Sequence, residues 1–262
     1  MKIGVFDSGL GGLVITKTFM NELPEYDYLY LGDTVHLPYG EKTSGRILKY
    51  TLDSLKYLIA QNCKLIIIAC NTATSITLRY IQQKFIPAYA PDVKVLGVVI
   101  PTVETAVEEN TKSVGIIATS ATVASHIYKT ELQKLDSSLQ VTEVATPQLV
   151  PLIEGNDFQY MENVLEDYLA HFPKLDSLIL GCTHYPLIKE YCRRLLPKNV
   201  KVISQDELMG AKLRDYLQRH PEIENCLSRN AERRFCVTKN SPKAGEVAAR
   251  LIPEVKIKEV TF

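Results

Sequence analysis

The sequence predicts an α/β fold of two pseudo-symmetric lobes, each a mostly parallel sheet with helices on both faces and a site in the cleft between them. Short Val- and Ile-rich runs alternate with amphipathic stretches along the chain, the pattern of parallel strands buried on both faces. Three landmarks recur at nearly one spacing. Gly4 of KIGVFDS and Gly115 of SVGIIATS are 111 positions apart, Pro38 and Pro151 are 113 apart, and Cys70 after KLIIIA and Cys182 after DSLILG are 112 apart. Val/Ile-rich strands resemble one another by chance, but chance does not hold one register across three separated points. The landmark prolines and cysteines follow predicted strands, at the carboxyl ends where α/β sheets place their sites.

Strands are expected at 2–6, 28–31, 64–69, 94–99, 113–118, 139–144, 177–180, 200–203, 234–238 and 255–259, each a short β-branched or aliphatic run. Between the second and third, residues 46–60 place Ile47, Leu48, Leu52, Leu55, Leu58 and Ile59 on one helical face, as a packing helix requires. No low-complexity run, charge block or long Gly/Pro linker separates the halves, so the crossings between them are short. They are expected near Pro91–Asp92 and Ser204–Asp206, giving one lobe of 1–92 plus 206–262, with Asp7 and Cys70, and a second of 93–205, with Cys182 and His184.

A chain of 262 residues can bury two compact cores. Thirty basic and thirty acidic side chains leave no net positive field to displace counterions from a phosphate backbone, so nucleic acid is set aside as a partner. The longest apolar runs, such as LIIIA at 65–69, fall far short of the roughly 20 residues a membrane span needs. MKIGVFDSG reaches Asp7 too early for a signal peptide, and a cytoplasmic location is expected. Six cysteines are far fewer than the roughly 8 to 10% of a disulfide scaffold, so reduced thiols are expected.

Four segments could carry chemistry. In ACNTATS (69–75) Cys70 ends a strand, and a helix is expected from about Ala73 with Asn71 and Thr72 as cap candidates. A thiol at a helix N-terminus has its pKa lowered, although a buried cysteine also serves as a small hydrophobe. LILGCTHYPL (178–187) repeats the arrangement with Cys182, Thr183 and His184; Cys-x-His alone falls short of a zinc site's three or four ligands, and no metal is expected. DSGLGG (7–12) has part of a dinucleotide loop, but the third glycine is missing and Asp7 would repel a pyrophosphate. Asp7 fits better as a carboxylate in a tight pocket or as a helix-entry cap. In GDTVHLPYG (32–40), Tyr39 and Gly40 could offer a hydroxyl and a bare N–H to an anion, or form a plain surface turn. Cys63, Cys192, Cys226 and Cys236 lack polar companions and are read as structural.

Two facing thiols suit inversion of a stereocentre: one thiolate removes a proton while the opposite thiol donates one, without a cofactor. The Cα proton of an amino acid is so weakly acidic that a desolvated thiolate and polar groups to neutralise growing charge are both needed. Asn71, Thr72 and Thr183, beside the cysteines, are placed for that.

In order and spacing, DSGLGG, GDT-x-x-LPYG, ACNTATS, VGIIAT-x-x-T, VPLIE and LGCTHYPL resemble the glutamate racemases of the cofactor-independent aspartate/glutamate racemase family, over nearly the whole chain. The resemblance implies a two-base enzyme supplying D-glutamate for peptidoglycan, with glutamate as its small-molecule partner and no cofactor, and it allows a homodimer. By the same resemblance Cys70 acts on D-glutamate with Asp7 assisting, and Cys182 acts on L-glutamate with His184 and Glu154 assisting. Substrate contacts would be Ser8, Tyr39, Gly40, Asn71, Thr72, Thr119, Thr122 and Thr183. Aspartate racemases usually carry glutamate after the second Cys-Thr, so His184 points to glutamate as substrate. Val35-His36 stands where Ala-Arg is usual, Ile100 where a glutamate is common, and Gln205-Asp206 where an Asp-Ser or His-Ser type segment is found. These departures leave another acidic amino acid, such as aspartate, as an alternative substrate. A Cys182–His184 nucleophile hydrolase would leave Cys70 unused; a non-catalytic two-lobed binding protein is the third reading.

Overall fold

The computed structural model describes residues 1–109, 111–253 and 255–262. Among the described residues the strands are β1 (Lys2–Asp7), β2 (Tyr28–Gly32), β3 (Cys63–Ile68), β4 (Lys94–Gly97), β5 (Ser113–Ala118), β6 (Gln140–Ala145), β7 (Ser177–Gly181), β8 (Lys201–Ile203), β9 (Arg233–Val237) and β10 (Ile257–Glu259). They form a six-stranded sheet, β10-β9-β2-β1-β3-β4, and a four-stranded sheet, β6-β5-β7-β8, with every pairing parallel. Helices connect the strands and cover both faces, so the predicted α/β class stands.

The four-stranded sheet repeats the order β2-β1-β3-β4 of the larger one. The repeat extends to register: Gly4 pairs with Leu29 and Ile66, while Gly115 pairs with Thr142 and Leu178, which lie 113 and 112 positions further on. These are the spacings seen at the proline and cysteine landmarks, so each lobe is built on one strand plan.

Side-chain alternation along the strands divides each lobe's interior between two faces. In β3, Leu65 and Ile67 enter one core and Ile66 and Ile68 the other; Cys70 continues the second series. In β7, Leu178 and Leu180 share a core with Cys182, and Ile179 faces the opposite one. The two cysteines therefore project from equivalent faces of equivalent strands.

The first crossing differs from expectation. β4 pairs with β3 across Leu65–Ile68, so residues 94–97 belong to the six-stranded sheet and the chain leaves that lobe after Gly97, not near Pro91–Asp92. Pro91 and Asp92 form only the turn into the strand, and hydrogen bonding to β3 fixes the sheet. The chain returns after β8, where the helix Gln205–Arg219 sends Met209, Leu213 and Leu217 into the core of the first lobe. Gly32, at the end of β2, lies under the DSGLGG loop: a Cβ there would meet the Gly9 carbonyl oxygen at 2.2 Å. Only glycine lets that loop lie so close to the sheet.

Candidate active site

A cavity of about 320 Å³ opens between the carboxyl ends of the two sheets. Ser8, Tyr39, Gly40, Cys70, Asn71, Thr72, Thr119, Glu154, Cys182, Thr183 and His184 all line it, as do the landmark prolines Pro38 and Pro151. Asp7 and Thr122 lie behind this lining, fully buried.

Cys70 itself caps the helix Asn71–Tyr80, its sulfur accepting from the Ala73 N–H at 3.4 Å; the helix starts two residues earlier than expected, and Asn71 and Thr72 are in it rather than capping it. The expected lowering of this thiol's pKa is overturned. Burial pushes Cys70 up to about 12, the nearby Asp7 carboxyl adds to the rise, and the Ser8 hydroxyl and Ala73 N–H only partly oppose it. Desolvation outweighs the helix terminus because a thiolate here would lose nearly all its water. The closest polar partner of this sulfur is Ser8, whose Oγ lies 3.2 Å away.

Asp7, at the tip of β1, makes its hydrogen bonds elsewhere: Oδ2 accepts from the Gly9 N–H at 2.9 Å and Oδ1 from the Thr183 hydroxyl at 3.3 Å. Burial raises its pKa, with His184, the Gly9 and Gly12 N–H groups and Thr183 pulling the other way. Its link to Cys70 is thus one of charge, and its direct contacts are with its own loop at Gly9 and with the loop of the opposite lobe at Thr183. Gly11 permits this approach, since a Cβ there would sit 2.5 Å from Thr183 Oγ1 and 2.7 Å from His184 Nδ1.

On the second lobe, His184 bridges two groups, with Nδ1 3.7 Å from Cys182 Sγ and Nε2 3.1 Å from Glu154 Oε1. Burial would favour neutral imidazole, but the Cys182 and Glu154 contacts prevail and hold His184 at about 10. These contacts favour an imidazolium beside the Cys182 sulfur, a counter-ion when that sulfur carries charge.

The remaining groups are hydroxyls and amides. Thr72, Thr119 and Thr122 form a triangle with oxygens 2.8, 3.3 and 2.9 Å apart. The Tyr39 hydroxyl donates its single proton to Asp33 Oδ2 at 2.7 Å, so it cannot donate to an anion as expected and offers only an acceptor. Asp33 had no role in the sequence reading. It also accepts from Thr238 at 2.9 Å, 205 positions away, a contact with no local signature. Of the remaining cysteines, Cys63, Cys192 and Cys236 are buried in the packing and Cys226 is exposed.

Comparison with known proteins gives a consistent picture. The family described as Asp/Glu/hydantoin racemase matches residues 26–206. A glutamate racemase of Streptococcus pyogenes (serotype M4, strain MGAS10750) is 34% identical over 99% of this chain and 98% of its own. The crystal structure of a glutamate racemase isoform from Bacillus anthracis superposes with a TM-score of 0.89 at 30% identity, covering 99% of this chain and 97% of that one. A glutamate racemase from Francisella tularensis, solved in complex with D-glutamate, superposes with a TM-score of 0.88 at 35% identity and the same coverage.

Proposed function

The chain belongs to the Asp/Glu/hydantoin racemase family, and on that premise we propose that it interconverts L- and D-glutamate by two-base proton transfer at Cα. The carrying observation is the mirrored placement of Cys70 and Cys182, two free thiols at equivalent strand ends of the two lobes, lining one cavity. A hydrolase built on Cys182 and His184 would leave that symmetry without a purpose.

Cys182, with His184 and Glu154 behind it, takes the proton of L-glutamate, and the Cys70 thiol protonates the opposite face. In the reverse direction Cys70 takes the proton of D-glutamate, with Asp7 supplying local charge and Ser8 a hydroxyl contact. The desolvation that makes Cys70 hard to ionise also makes its thiolate a stronger base, as a weakly acidic C–H requires. Among the described residues neither lysine nor arginine lines the cavity, so the charge growing on the substrate carboxylate is met by hydroxyls, N–H groups and the His184 imidazolium. Thr72, Thr119, Asn71, Gly40 and the Thr183 backbone N–H are the proposed donors, since the Thr183 hydroxyl proton goes to Asp7; Thr122 holds the threonine triangle from behind and Tyr39 contributes acceptor oxygen.

We assign residues 1–97 and 205–262 to the lobe of Asp7 and Cys70, and 98–204 to the lobe of Glu154, Cys182 and His184. Among the described residues no helix is long and apolar enough to cross a membrane. A cytoplasmic enzyme supplying D-glutamate for peptidoglycan, and able to form a homodimer, completes the proposal. Incubation with L-glutamate in deuterated water tests it. D-glutamate carrying deuterium at Cα should accumulate until the enantiomers are equal, whereas loss of neither optical activity nor Cα protium would overturn the assignment. The same incubation with aspartate enantiomers tests the alternative substrate.

A further inference from the structure

We propose that Gln205 is a positioning residue that fixes which end of the Asn71 amide faces the cavity, so that Asn71 presents an N–H to a substrate carboxylate. The inference rests on the glutamate reading of the cavity. It concerns a residue that lies fully buried where the chain returns between the lobes.

Counting protons sets the orientation. The Val98 carbonyl can only accept, and the Thr102 hydroxyl donates to it at 2.7 Å. With its one proton spent, Thr102 Oγ1 can only accept from Gln205 Nε2, 3.2 Å away, and this fixes which end of the glutamine amide is nitrogen. Gln205 Nε2 then donates to Asn71 Oδ1 at 2.9 Å, and Gln205 Oε1 accepts from Asn71 Nδ2 at 2.9 Å. The Tyr128 hydroxyl adds a second donor to Asn71 Oδ1 at 2.5 Å. Both lone pairs of that oxygen are filled. Among the described residues the second hydrogen on Asn71 Nδ2 has no hydrogen-bond acceptor, and Asn71 lines the cavity next to Cys70. The opposite amide orientation would set nitrogen against nitrogen in one contact with Gln205 and oxygen against oxygen in the other, deep in the protein where unmatched polar groups are costly. A chain of polarity thus runs from a backbone carbonyl at the first crossing, through Gln205 at the second, to the substrate space.

The test compares Gln205→Met, which keeps volume but removes donor and acceptor, with Thr102→Val, which removes the hydroxyl that links the Val98 carbonyl to the Gln205 amide. Loss of one oriented hydrogen bond to a charged ligand should raise KM for glutamate about tenfold or more in Gln205→Met. The value of kcat should stay within about threefold, and Thr102→Val should show a smaller shift of the same kind. In an Asn71→Ala background, Gln205→Met should add nothing further to KM. An unchanged KM in a folded Gln205→Met protein, or effects that add fully to those of Asn71→Ala, would overturn the proposal. If Gln205→Met does not fold, Thr102→Val decides by the same KM criterion. Failure of the underlying glutamate reading is seen separately, as wild-type protein that does not racemise glutamate.

Discussion

Replacing Cys70 or Cys182 by serine should abolish measurable racemisation in both directions, with turnover falling by about 10²- to 10⁴-fold or more. Serine preserves shape, but its hydroxyl is far less acidic than a thiol, so the base for one face of Cα is lost. Each turnover needs both groups, one removing and one donating, and blocking either face blocks both directions. The double variant should be little worse than either single one, because the residues act as a unit. Both cysteines pack in core clusters on equivalent faces, so melting temperatures of the two variants should shift alike and modestly. Racemisation followed by circular dichroism checks this prediction; near-full activity in either folded variant would contradict the two-base assignment.

His184→Asn should lower kcat/KM by about a hundredfold, and equally in both directions, because the equilibrium constant between enantiomers is one. The asymmetry appears in single steps. With the Cys182 step slowed, the primary isotope effect on Cα-deuterated L-glutamate should rise, while that on deuterated D-glutamate should shrink behind a slow reprotonation. Asp7→Asn should give the mirrored pattern if its charge serves Cys70; identical patterns would remove the side-specific roles. Stability carries a second signature. His184 is held at about 10 against an ordinary 6.5, so what its contacts contribute is complete below about pH 6.5 and lost as the pH rises through 10. In His184→Asn that alkaline loss of melting temperature should disappear.

Strands β1, β3, β5 and β7 were legible because they are nearly continuous apolar runs buried on both faces, and period and register survive in a single sequence. The paired lobes were legible because register is conserved between the halves, from Gly4 and Gly115 through Cys70 and Cys182. The position of β4 was not, because a four-residue strand before a helix does not reveal which sheet it joins. The direction of the Cys70 shift was hidden for a related reason: a helix terminus is local, whereas desolvation is a property of the packed whole. Asp33, Tyr128 and Gln205 act through partners such as Thr238 and Asn71, far away in sequence, and nothing near them in the chain marks that role.

The measurement that bears most directly on the two-thiol mechanism is a structure with D-glutamate bound. Each sulfur must come within roughly 3 to 3.5 Å of Cα in a reactive pose, which places the sulfurs about 6 to 8 Å apart with Cα between them. That spacing, with Cys70 and Cys182 on opposite faces of Cα, is the predicted result. Sulfurs more than about 10 Å apart in the closed complex, or both on one face of Cα, would contradict direct proton transfer by this pair.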